Sequence, residues 1–99
     1  MKFNKLMPSE IERLAILAEE CAEVTQMVGK ILRFGYDNVH PRMPELGTNA
    51  QRLEEELGNV LNIIDMMADA GDISKPRIRR LKTTKRKTIG KYLFHQEVK

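Results

Sequence analysis

Apolar and small residues recur from residue 9 to residue 34 at three- and four-residue steps: Ile11, Leu14, Ala18, Cys21, Thr25, Val28 and Leu32. That period predicts a helix with one apolar stripe, on which Cys21 reads as a core residue. Pro8 and Ser9 stand where such a helix starts, and Glu10 and Glu12 suit the positive end of its dipole. Gly35 is the expected stop. A second periodic stretch runs through Leu53, Leu57, Val60, Leu61, Ile64, Met67 and Ala68 and stops at Gly71. Its start is marked by Thr48 with Gln51 three residues later, the pattern of a capping box. Between the two, residues 35–47 hold two glycines, Pro41, Pro44, Asp37 and Asn38. Such a connection is long for two packed helices, so it is a candidate functional loop or lid.

A third helix is expected at about 75–94, with Ser74 as N-cap and Pro76 in the first turn. Its stripe of Ile78, Leu81, Ile89 and Tyr92 is thin, Lys85 interrupts it, and Gly90 weakens it. The fold class is therefore all-α: one domain over residues 1–99 ending in a basic helix. Two long helices and a thin third cannot easily close a core, so antiparallel helices that assemble into a four-helix-bundle-type oligomer, a dimer or tetramer, are expected.

Composition narrows the picture. The chain has 99 residues, 41% of them hydrophobic, with six methionines and no tryptophan, which suits helix packing better than a β-sandwich. A single cysteine excludes an internal disulfide. Residues 1–7 lack the apolar core of a signal peptide, and no apolar run approaches the roughly 20 residues that span a bilayer. A cytoplasmic protein without membrane contact is the expectation. The net charge of +3 conceals an asymmetry. Residues 1–71 carry seven Lys and Arg against twelve Asp and Glu, net −5, and residues 72–99 carry ten against two, net +8. An acidic body with a basic tail points to phosphate near an acidic metal site, or to nucleic acid on the tail.

The candidate chemistry lies in two acidic clusters. Glu19, Glu20 and Glu23 fall on the first helix, and Glu54, Glu55 and Glu56 on the second, followed by Asn59 and Asn62. Residues three and four apart share a helix face, so Glu20 with Glu23, and Glu56 with Asn59, point at common spots. Antiparallel packing of the two helices brings both sets together. Adjacent carboxylates repel unless a cation lies between them, and an oxygen-only ligand set suits Mg²⁺, with Mn²⁺ as the alternative, rather than zinc. Glutamates on helices are most often a solvated face, and Glu54 reads that way.

The order of these residues resembles a known pattern. Glu19-Glu20-Cys21-Ala22-Glu23 followed by Glu55-Glu56-Leu57-Gly58-Asn59-Val60-Leu61 looks like the signature of the all-α NTP pyrophosphatases, the superfamily of MazG, phosphoribosyl-ATP pyrophosphohydrolase and dimeric dUTPase. The resemblance covers residues 11–70. Lys30-Ile31-Leu32-Arg33-Phe34-Gly35 with Thr48-Asn49 looks most like the small MazG-like proteins of bacteriophages. It implies a metal-dependent nucleotide pyrophosphohydrolase that converts a nucleoside triphosphate, foremost a dNTP, to monophosphate and pyrophosphate. It further implies that Glu20, Glu23, Glu56 and Asn59 occupy metal-ligand positions and that Glu19 serves as the catalytic base. Lys30, Arg33 and Asn62 are substrate-binding candidates.

Two departures stand out. Asn59 replaces the expected aspartate and removes one negative charge. The gap between Glu23 and Glu56 is longer than the usual one, with the extra residues in the 35–47 loop. A second reading follows from Asn59: a weakened site in a protein that binds nucleotide or nucleic acid. The basic tail supports it, but no helix-turn-helix pattern or stacking-aromatic platform accompanies the charge. His40 and His95 read as surface residues.

Overall fold

The computed structural model describes residues 3–96; Met1, Lys2 and the end of the basic tail, Glu97 to Lys99, lie outside them. Three helices follow one another: α1, Pro8–Phe34; α2, Asn49–Asp69; and α3, Lys75–Thr88. Short 3₁₀ turns occupy Pro44–Leu46 and Ile89–Tyr92. The all-α class is as the periodicity indicates. Among the described residues no helix is long and apolar enough to cross a membrane.

Local chemistry explains each boundary. The backbone N–H of Met7 donates to Glu10 Oε1 at 2.7 Å, which ties down the start of α1 one residue before Pro8. Gly35 ends it at φ 86°, a left-handed conformation open to glycine, with its N–H donating to Ile31 O at 2.7 Å. At α2 the capping box forms in full. Gln51 N donates to Thr48 Oγ1 at 3.1 Å, and Thr48 N donates to Gln51 Oε1 at 2.9 Å. Ser74 caps α3 by accepting from Arg77 N at 3.3 Å. That helix is shorter than the 75–94 expected. Past Thr88 the chain tightens into the 3₁₀ turn containing Gly90, whose missing side chain removes any stake in continuing the α-helix.

Helices α1 and α2 form an antiparallel hairpin. Three contacts fix the direction: Asn49 against Gly35, Glu56 against Glu23, and Asp72 against Arg13. Met27, Ile63 and Met67 are the buried apolar residues of the seam, with Ile63 fully enclosed. The 35–47 loop is not a free lid. Asn49 N and Ala50 N donate to Asn38 O and Tyr36 O, and the buried Asn49 side chain donates to Gly35 O at 3.0 Å. These bonds satisfy N–H groups that a helix start leaves open.

The apolar stripe expected on α1 is not the one in the seam. Ile11, Leu14, Ala18, Cys21, Thr25, Val28 and Leu32 are all exposed, Leu32 at 82%. Cys21 is thus a surface thiol, not a core residue. The α2-facing stripe is Arg13, Ile16, Glu20, Glu23, Met27 and Ile31, roughly two-fifths of a turn away. On α2, Leu57 and Leu61 are likewise exposed, whereas Glu56, Val60, Ile63 and Met67 turn inward. Helical phase puts Leu14, Val28, Leu32, Leu57 and Leu61 on one face of the hairpin, an apolar one.

Helix α3 packs along neither partner, and apart from Lys75 its residues are exposed. The radius of gyration, 17.1 Å, therefore exceeds the roughly 13 Å of a compact chain this long. The α2–α3 turn is held by a two-pronged ion pair, with Arg13 Nε and Nη2 donating to Asp72 Oδ2 and Oδ1 at 2.6 and 3.0 Å. The Arg13 hydrogen bonds and charge outweigh partial burial and keep the Asp72 carboxyl below its ordinary value of 3.8. A depressed carboxylate contributes stability above its unfolded value, and that contribution is lost as pH falls through the folded value. Asp72→Asn is therefore expected to lower the melting temperature at pH 7. Thermal melts should show the gap to wild type closing as the pH drops below about 3.8.

Candidate metal centre

Midway along the hairpin the seam turns acidic. Glu20 and Glu23, three residues apart on α1, face Glu56 on α2, and carboxylate oxygens of the three lie within 4.8 Å of one another. All three side chains are half-buried. Glu20 Oε2 and Glu56 Oε2 are buried without a hydrogen-bond partner among the described residues. Buried carboxylate oxygens are almost always satisfied, because stripping water from a charged oxygen is expensive. Two such oxygens beside a third carboxylate make a donor set suited to a cation.

The electrostatics agree. The Glu56 carboxylate, as hydrogen-bond partner and then as like charge, holds the Glu23 carboxyl above its ordinary value of 4.5, and partial burial adds to the effect. All donors are hard carboxylate oxygens, and no Cys or His joins the cluster among the described residues. That set fits Mg²⁺ or Mn²⁺, which retain positions for water and phosphate when held by a few carboxylates.

The remaining candidates surround this cluster unevenly. Asn59 lies one turn beyond Glu56 and is exposed. Glu19 is exposed and lies outside the triad. Helical phase turns Glu19, Lys30 and Arg33 of α1 and Asn59 and Asn62 of α2 to the hairpin face opposite the apolar one. Asn62 Nδ2 contacts the sulfur of Met66 at 3.5 Å. Glu54 is exposed, as its reading as a solvated residue requires.

At the loop end of the same seam lies a cavity of about 470 Å³. Lys30, Arg33 and Arg52 supply three cations to its lining, and Phe34, His40 and Pro41 supply flat surfaces. Lys30 is seven residues from Glu23, about 10 Å along the axis, and Arg52 is four from Glu56, about 6 Å. Sequence reasoning named Lys30 and Arg33 but missed Arg52 and His40. His40 is half-buried rather than on the open surface, and its Nδ1 accepts from Arg42 N at 3.1 Å. The only signal for Arg52 was its place one turn before Glu56 on the same face.

The chain matches no family model, no curated protein and no solved structure. A functional reading therefore rests on the geometry and on the short motifs.

Without a cation, two carboxylates pressed together oppose folding. A carboxyl whose folded value is raised contributes stability that is present below its unfolded value and is lost as pH rises through the folded one. At pH 7 Glu23→Gln is thus expected to raise the melting temperature of metal-free protein. The same variant should abolish the further rise that Mg²⁺ gives wild type. Melts with EDTA and with 5–10 mM Mg²⁺, on the order of ordinary assay levels, read both effects.

Proposed function

We propose that the chain is a metal-dependent nucleotide pyrophosphohydrolase acting on a nucleoside triphosphate, foremost a dNTP. The observation that carries this reading is the Glu20–Glu23–Glu56 triad with its two buried, unpartnered oxygens. The cationic cavity one to two turns away supports it, because an acidic cluster beside three cations suits a cation–polyphosphate pair better than either charge alone.

In this reading Glu20, Glu23 and Glu56 hold Mg²⁺, and Asn59 offers a carbonyl oxygen from the next turn. When bound, the cation supplies charge neutralisation at the phosphoryl oxygens. Lys30, Arg33 and Arg52 take the remaining phosphate charge, and Phe34 and His40 offer planes for the base. Glu19, exposed on the open face, accepts a proton from the attacking water. The water oxygen bonds to the α-phosphorus, the bond to the bridging oxygen breaks, and pyrophosphate leaves. The exposed apolar face of the hairpin suits burial against a second copy, giving the four-helix assembly in a dimer or tetramer.

The first test is product identity. Incubation with Mg²⁺ and each common NTP and dNTP should release monophosphate and pyrophosphate; orthophosphate and diphosphate, or no turnover across the panel, would overturn the assignment. Glu56→Gln should lower turnover by two or more orders of magnitude, and Glu54→Gln should leave it nearly unchanged. Asn59→Asp adds a fourth carboxylate and should reduce the Mg²⁺ concentration for half-maximal activity. The gain is expected near the low end of the ~1–4 kcal/mol that a close charge pair supplies between water and protein-surface dielectrics. Equal metal requirement in wild type and Asn59→Asp would remove that residue from the ligand set.

For assembly, light scattering at micromolar concentration should show a dimer or larger. Leu32→Asp should shift it toward monomer; a monomeric wild type contradicts the self-association.

A further inference from the structure

We propose that α3 is a double-stranded DNA-binding helix that lies in the major groove and meets the phosphates on both sides through two cationic flanks. This reading is independent of the acidic triad. From residue 75 to residue 96 the chain carries nine Lys and Arg and no Asp or Glu. One of these cations, Lys75, pairs with a carboxylate, Asp65 at 2.8 Å; the other eight form no ion pair among the described residues. Beyond Lys75 the helix is exposed on every side and packs along neither α1 nor α2. Basic surface helices usually neutralise part of their charge against neighbouring acids. Here the body carries the acids, and beyond Lys75 no cation of α3 pairs with them among the described residues.

The placement of the cations selects the partner. At 3.6 residues per turn, Lys75, Arg79, Lys82 and Arg86 fall on one flank, and Arg77, Arg80 and Lys87 on another roughly 140° round. Thr83 sits between the flanks, and Ile78 and Leu81 lie behind. An α-helix about 10–12 Å across fits the roughly 12 Å major groove of B-form DNA, where a phosphate strand runs along each side. Basic-region helices that project from a dimer use this geometry without a helix-turn-helix around them. A membrane surface would meet one flank and want a broad apolar face, and α3 offers only Ile78 and Leu81. The A-form major groove of duplex RNA is too narrow. Contacts to phosphates alone make the binding indifferent to sequence.

The test is fluorescence anisotropy of a labelled, mixed-sequence 20-bp DNA duplex titrated with the full chain from about 50 to 200 mM salt. Six phosphate contacts, from Arg77, Arg79, Arg80, Lys82, Arg86 and Lys87, give log K against log salt a slope of about −5, or a loss of about 10³-fold across that range. Two triple variants, R79Q/K82Q/R86Q and R77Q/R80Q/K87Q, should each bring the slope to about −2.7. Circular dichroism should show both folded, since these side chains are exposed and form no ion pair among the described residues. Loss from both flanks supports the groove. No binding at 50 mM salt overturns the proposal, as does dependence on one flank only. Equal or tighter binding to duplex RNA or to phosphatidylserine vesicles overturns it too. A lowered oligomeric mass in either variant would place α3 on the acidic body of a second copy instead, and would likewise overturn it.

Discussion

Everything else in this molecule depends on a seam between two helices whose charged middle is flanked by apolar contacts. Met27, Ile63 and Met67 bring α1 and α2 to contact distance, and that contact forces Glu20, Glu23 and Glu56 together. Two helices in isolation bury one stripe each, so there is no third layer to absorb an electrostatic fault. The hydrophobic contacts must carry a repulsion they do not cause. Under the proposed function a bound cation would reverse the sign of that middle section, so loading the site and completing the fold would become one process.

The periodicity located α1 and α2 within a residue or two because their ends are written locally. Gly35, the Thr48–Gln51 box and Ser74 act on groups no more than four residues away. The orientation of α1 was not legible. It carries two stripes, and the more hydrophobic one, through Cys21 and Val28, faces out. The stripe that packs includes Arg13, Glu20 and Glu23, which any hydropathy reading assigns to solvent. Arg13 is placed inward by Asp72, 59 residues away, and the glutamates by the Met27, Ile63 and Met67 contacts that hold the two helices together. Such long-range reasons leave no periodic trace.

The site shows the same division. Glu20, Glu23 and Glu56 were readable from spacing together with order, and the structure brings them to one point. Arg52 and His40 were not: Arg52 meets Lys30 only once α1 and α2 pack, and His40 only once the loop folds back over the start of α2. The third helix was readable as basic, but its isolation was not. A thin stripe of Ile78 and Leu81 fits a weakly packed helix as well as an unpacked one.

The pinning of the loop at its base bears on how such a protein diversifies. Gly35 O and the Asn49 side chain close the loop at its root, so residues 39–47 can lengthen or shorten without transmitting strain to the seam. Closure entropy grows slowly with length, about 0.6 kcal/mol for each doubling. Val39, His40 and Pro41 of that segment wall the cavity, while Lys30, Arg33 and Arg52 belong to the helices. The rim can therefore drift to suit new ligands on a fixed cationic floor, which separates the evolution of selectivity from that of the scaffold.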